Sequence, residues 1–142
     1  MQIPRPVAGI DRLDAKLESF LPDWDRTVKL EQIREYAMSL PEVTEEPHFD
    51  LSSFRVRGKI LATVTADGRY LHIFVDEEDR ERALALEPEN FEKLWWGSRV
   101  VGLRTHIQQA SPELVFELLR MSWRRKAPKK LIRNFDQNHP SA

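Results

Sequence analysis

Seven cations and no anion fall between Arg120 and Arg133. Lysine and arginine at that density can displace the counterions condensed on a polyanion, and so can hold phosphates. The same residues can also complement the negative end of a helix dipole and pair with an acidic body. The rest of the chain is acidic: residues 1–119 carry 15 Lys+Arg against 22 Asp+Glu, and residues 120–142 carry 7 against 1. The net charge of −1 conceals this asymmetry, which is what keeps a polyanionic partner in view.

Other chemistry finds less support. There is no cysteine, which excludes thiolate nucleophiles, cysteine-held zinc, iron–sulfur clusters and disulfides. His48, His72, His106 and His139 have none of the H-x-x-x-H spacing of a helical metal site. His48-Phe49-Asp50 can be a local proton relay, or His48 can be a packing histidine in a loop. The run Asp76-Glu77-Glu78-Asp79 lacks the glycine and spaced ligands of a calcium loop, whereas acids in a first helical turn favour the dipole. No serine occupies a nucleophile elbow. Gly58, Gly68, Gly97 and Gly102 are too dispersed for a phosphate loop. Trp95, Trp96 and Trp123 are read as core and rim aromatics. No nucleophile, metal set or cofactor cradle can be named, so the expectation is a non-enzymatic binding module without a cofactor.

The elements that must position these residues follow from periodicity. Ile10, Leu13, Leu17 and Leu21 predict an amphipathic helix over Gly9–Phe20, broken by Leu21-Pro22-Asp23-Trp24-Asp25. Thr27 can cap a second helix with the stripe Leu30, Ile33, Ala37 and Leu40, ended by Pro41. A polar loop through Glu45, Glu46 and Pro47 follows. Leu51–Arg57, Ile60–Thr65 and Tyr70–Val75 predict a β-meander. Asp67-Gly68 predicts a two-residue turn with both residues at positive φ. That turn sets Val64 opposite Leu71, Thr63 opposite His72 and Ala62 opposite Ile73.

One face of the meander is then aliphatic: Ile60, Ala62, Val64, Leu71, Ile73 and Val75. A three-residue loop, Arg57-Gly58-Lys59, brings Phe54 and Val56 onto that face opposite Ala62 and Ile60. The other face carries Tyr70, His72 and Phe74, with Arg55 and Arg57. Aromatic and basic groups on a sheet can stack bases and hold phosphates. The same three aromatics can instead be a dimer or partner face, or lie under the N-terminal helix. Asp76 caps an acidic helix, Glu77–Leu86. Pro88 starts a further helical turn with Phe91, Leu94 and Trp95. Arg99–Arg104 is a late strand, and Ser111-Pro112 opens a last helix through Leu114, Leu118, Leu119 and Trp123 to about Lys126.

A chain of 142 residues suits one main domain. The expected organisation is an extension over 1–27, a domain over 28–135 and a tail over 136–142. No apolar run approaches a membrane span, and the first residues lack a hydrophobic signal region. With no disulfide to form, a cytoplasmic location is expected.

Several segments resemble a known family in order and spacing. They are Leu40-Pro41-Glu42-Val43-Thr44-Glu45 followed by His48, Phe54-Arg55-Val56-Arg57-Gly58-Lys59-Ile60-Leu61-Ala62, Val101 with Leu103, and Glu113-Leu114. The last is Ser122-Trp123-Arg124-Arg125-Lys126-Ala127-Pro128-Lys129-Lys130-Leu131. Over about residues 29–135 the chain is similar to the MmcQ/YjbR family, in the branch ending W-R-R-x-A-P-K-x-L. The resemblance implies a two-layer α+β fold, an antiparallel sheet packed against helices in the secretion-chaperone manner. It also implies DNA contact by paired hairpin wings. Arg57, Gly58 and Lys59 match a wing. Arg69 occupies the second hairpin tip. Arg124, Arg125, Lys129 and Lys130 would add backbone contacts, giving weak, largely sequence-independent binding. Where many members carry Asn-Lys-x-His-Trp, this chain has Leu94-Trp95-Trp96-Gly97-Ser98-Arg99. The expected partners are therefore DNA or, in the rival reading, a protein, including a second copy of this chain through Tyr70, His72 and Phe74.

Overall fold

A computed structural model describes residues 23–48 and 51–138. The helix expected over Gly9–Phe20, the Phe49-Asp50 part of the proposed relay and His139 lie outside the described residues. In order, the elements are α1 (Asp23–Ser39), β1 (Val43–His48), β2 (Leu51–Val56), β3 (Lys59–Val64), β4 (Tyr70–Ile73), α2 (Glu77–Leu86), β5 (Phe91–Trp96), β6 (Arg99–His106), α3 (Pro112–Lys126) and α4 (Lys129–Asn138). The six strands form one sheet in the order β1-β2-β3-β4-β6-β5, with every neighbour antiparallel. The fold is α+β, as expected.

The capped helices form where the sequence places them. The Asp76 carboxylate accepts from the Asp79 amide at 3.1 Å, and α2 runs over the predicted residues. The Ser111 hydroxyl accepts from the Leu114 amide and Pro112 opens α3. Leu114, Val115, Leu118, Leu119, Ser122 and Trp123 form its buried stripe, the three-to-four-residue spacing of a helix packed on a core. The apolar residues of this stripe join Ile33 and Ala37 of α1, Leu40 just beyond it, Ala83 of α2 and one face of the sheet in a single cluster. That sheet face presents Phe54, Val56, Ala62, Val64, Leu71, Ile73 and Leu103, each almost fully buried. Ser122 donates toward the carbonyls of Leu61 (3.0 Å) and Phe74 (2.7 Å). The Trp123 indole donates to Pro41 O at 3.0 Å.

Four expectations about local structure are corrected. The second helix is not capped at Thr27 but starts at Asp23; a threonine inside a helix costs only a fraction of a kcal/mol, about 0.7 at most, so the ladder continues through it. Glu45, Glu46 and Pro47 lie in β1, not in a loop. β1 is an edge strand, where a proline without an N–H is tolerated. Phe91, Leu94 and Trp95 belong to strand β5, not to a helical turn. Gly97 (φ 61°) and Ser98 form a two-residue turn that sets Trp96 opposite Arg99, the kind of turn that takes glycine first. The Asp67-Gly68 turn keeps the predicted register, but only Gly68 has positive φ, its amide donating to Thr65 O.

The β2–β3 hairpin combines two registers. Phe54 faces Ala62 as predicted, yet Val56 faces Lys59 rather than Ile60. Arg57 and Gly58, at φ 51° and 81°, make a two-residue turn, and Leu61 is the extra residue of a bulge. The bulge sends Leu61 into the core and turns Ile60 to the opposite face beside Arg55. The predicted burial of Phe54 and Val56 holds.

α4 was not anticipated as a helix. Leu131, Ile132 and Phe135 pack on the core, with the Phe135 ring 5.1 Å from that of Trp123. α1 runs across residue 27 and α4 across residue 135. No helix among the described residues is long and apolar enough to cross a membrane.

Candidate functional site

The sheet face turned away from the core carries a polar row across all six strands. Glu46 pairs with Ser53, Ser53 with Thr63, Thr63 with His72, His72 with Arg104, and Arg104 with Glu92. Directly opposed residues share a face, so these six side chains lie side by side. The Arg104 guanidinium stacks 3.8 Å from the Tyr70 ring centroid. Burial, and then the Arg104 charge, push the His72 imidazole below its ordinary range. The Ser53 hydroxyl donates to Glu46 O (2.8 Å) and accepts from Arg55 Nε (2.9 Å). Thr63 is 2% exposed and its hydroxyl has no hydrogen-bond partner.

Beside Thr63 and His72 this face opens into a cleft of about 630 Å³. Leu51, Ile60, Phe74 and Val101 line its apolar wall, and the Phe74 ring lies 5.5 Å from that of Trp96, inclined by 59°. The last turn of α3 closes one end. Lys126 donates to Ile60 O at 3.1 Å and Arg125 to Phe74 O at 3.4 Å. Burial, then Arg125 and Lys59, hold the Lys126 ammonium below its usual range. Arg99, the cross-strand partner of Trp96, also lines the cleft, and Asp76, Glu77 and Arg80 form the α2 side. Arg80 is engaged by Glu81 at 2.9 Å.

The cations singled out in the sequence separate into groups. Lys59 stands with Arg125 and Lys126 at one end of the sheet. Arg57, at the same hairpin tip, is paired with Glu42. Arg124 is held by both carboxylate oxygens of Asp136 at 2.7 and 3.0 Å. Lys129 and Lys130 are exposed in the first turn of α4. Arg69 is at the opposite end of the sheet, beside Leu30, Tyr70 and His106. Consecutive hairpins of a meander point in opposite directions, so one face of one ligand does not meet Lys59 and Arg69 together.

The aromatic trio is also divided. Tyr70 is covered by Arg104 and has His106 at 4.9 Å. His72 and Phe74 both line the cleft, His72 within the polar row and Phe74 against Trp96. Cover for the three was expected from a second subunit or the N-terminal helix, which lie outside the described residues; within them, Arg104 and His106 of β6 flank Tyr70, and Trp96 of β5 and Lys126 of α3 flank Phe74. Trp95 and Trp96 are 55% and 63% exposed, contrary to their reading as core and rim residues, because they end an edge strand. Trp123 is fully buried as expected. Trp96, Arg99 and Thr63 went unrecognised in the sequence. The available signal was Gly97-Ser98 between Trp95-Trp96 and Arg99-Val100-Val101, a hairpin pattern masked by helical spacing upstream.

A family model described as YjbR matches residues 38–125. The chain belongs to the YjbR family. The match spans every strand and α3 as far as Arg125, so all of the cleft except Lys126 falls within YjbR sequence. The family description names no reaction. Among solved structures, the crystal structure of Deinococcus radiodurans protein DR2400, with a DUF419 domain, is similar at a TM-score of 0.55 and 22% identity. The similarity covers 63% of this chain and 72% of that one, and it supports the fold. No curated protein matches this chain.

Proposed function

We propose that this YjbR-family protein is a non-catalytic binding protein for phosphate-bearing polyanions, DNA foremost. The contact would lie where the β2–β3 tip meets α3 and α4. One observation carries this reading: Lys59, Arg125 and Lys126 converge, and among the described residues none of them pairs with a carboxylate. Gathering like charges without counter-charges is unfavourable, and a polyanion relieves it. Lys129 and Lys130 follow within a few residues and extend the patch along α4. Arg57 and Arg124 have carboxylate partners and Arg69 is remote, so the proposed contact set is five cations, Lys59, Arg125, Lys126, Lys129 and Lys130. Phosphate contacts carry no base information, so binding would be weak and alike for all sequences.

Titration of labelled duplex DNA at several salt concentrations tests this. With about four phosphates neutralised, the slope of log K against log salt should be roughly −3 to −4. Reversing Lys129 and Lys130 to Glu should weaken binding, whereas Arg69→Glu should not. Absence of binding by folded protein at low salt would end the reading. A protein partner is the second reading, favoured by the exposed Trp95 and Trp96 on edge strand β5. Sedimentation before and after Trp95→Ser would reveal self-association through that edge.

A further inference from the structure

Thr63 is the anomaly of the cleft. Its side chain lines the cleft wall, 2% of the residue is exposed, and its hydroxyl meets no partner. Buried polar groups in native folds are nearly always hydrogen-bonded, so an exception asks for an explanation. The groups around it differ in kind. The rings of Phe74 and Trp96 lie 5.5 Å apart, with Ile60 and Leu51 beside them. Arg125 and Lys126 adjoin the same wall, donating to the Phe74 and Ile60 carbonyls, with the Lys126 ammonium 5.7 Å over the Phe74 ring. His72, directly opposite Thr63 in the neighbouring strand, offers ring nitrogens at the cleft floor. A volume of about 630 Å³ lies within the range of small-molecule sites, which pair apolar walls with a few convergent polar groups.

We propose that this cleft binds a single nucleotide, with the base against Phe74 and Trp96, its polar edge at Thr63 and His72, and its phosphate on Arg125 and Lys126. Every base has a π-face that an aromatic side chain can stack on, and cations form the stronger hydrogen bonds to phosphate. The charges favour one orientation: Asp76 and Glu77 on the α2 side repel a phosphate and Arg80 there is held by Glu81, which leaves Arg125 and Lys126, with Arg99 beside Trp96, to receive it. The nucleotide can be free, or it can be one residue of a single strand; a base inside a duplex cannot enter. The site deepens the phosphate-directed reading above and shares Arg125 with it, while Thr63 belongs to the nucleotide alone.

Calorimetric titration of the full chain with adenosine 5′-monophosphate, adenosine and ribose 5-phosphate is the test. The nucleotide should bind at least about tenfold tighter than either half, since one molecule then engages the rings and the cations together. Thr63→Val, which keeps the shape, should weaken the nucleotide about tenfold and leave duplex binding unchanged. It should also raise the Tm slightly, because an unsatisfied hydroxyl is replaced by a methyl. Arg125→Gln should weaken the nucleotide and not adenosine. A single-stranded oligo(dA) that binds more tightly than the mononucleotide identifies the strand as the source; the reverse order identifies the free nucleotide. Either order supports the site. Equal affinity for the nucleotide and ribose 5-phosphate, or an unchanged affinity in Thr63→Val, overturns it. Loss of duplex binding with nucleotide binding intact would remove only the earlier reading.

Discussion

Ser122 has one hydroxyl proton and two carbonyls, those of Leu61 and Phe74, within reach. It is fully buried, so no water replaces it when it is removed. Ser122→Ala should therefore destabilise by about 1–3 kcal/mol, seen as a lower urea midpoint with an unchanged slope. His72 gives a pH dependence of known sign. Burial and the nearby Arg104 lower its folded-state pKa below the unfolded value. The unfolded chain then binds more protons between the two values, so stability from this residue is complete above about pH 6.5 and falls as the pH drops through that window. Urea titrations of wild type and His72→Gln between pH 7.5 and 5 should converge toward low pH. Parallel curves would show that His72 titrates alike in both states. Ser122 was legible as lying on the last helix but not as part of its apolar stripe, and His72 as part of a strand. Their partners were not, because hydrogen bonds to Leu61 O and an arginine from β6 depend on chain packing that local periodicity does not encode.

At the scale of elements, Gly102 shows how closely β4 and β6 approach. A Cβ placed there would lie 2.2 Å from Ile73 O and 3.0 Å from Phe74 Cα. Both neighbours are backbone, so no flexible side chain can yield. Gly102→Ala should disrupt the β4–β6 pairing and cost several kcal/mol, about what other severe core overpacking costs. A Tm close to that of wild type would show the strands can part without loss. Elements with chemical stops were legible: Asp76 and Ser111 accept from backbone amides three residues on, and such caps leave a local imprint. β1 and β5 were missed for a physical reason. Each is an edge strand with little to bury, so Pro47 and the exposed Glu92, Lys93, Trp95 and Trp96 left no alternation to read. The bulge at Leu61 explains why neither simple register of the β2–β3 hairpin fits: the turn obeys one and the core obeys the other.

At the scale of the whole molecule, the asymmetry of charge was plain in the sequence, while its distribution in space was set by topology. A meander places alternate hairpin tips at opposite ends, which separates Arg69 from Lys59, and ion pairs with Glu42 and Asp136 take up Arg57 and Arg124. The bonds from α3 to the sheet have a consequence in time. Ser122 reaches back 61 residues to Leu61, Lys126 reaches 66 to Ile60 and Trp123 reaches 82 to Pro41. The meander therefore leaves synthesis long before the helix that covers it. At about 5–20 residues per second, Leu71 and Ile73 wait several seconds for Leu118 and Trp123. A chain stopped after Ala110 should fail to fold, its backbone amides exchanging with solvent deuterium as fast as those of a random coil. During those seconds the newborn sheet is a sticky surface, and whatever shields it in the cell, a chaperone or the ribosome itself, acts in the gap between the fourth strand and the third helix.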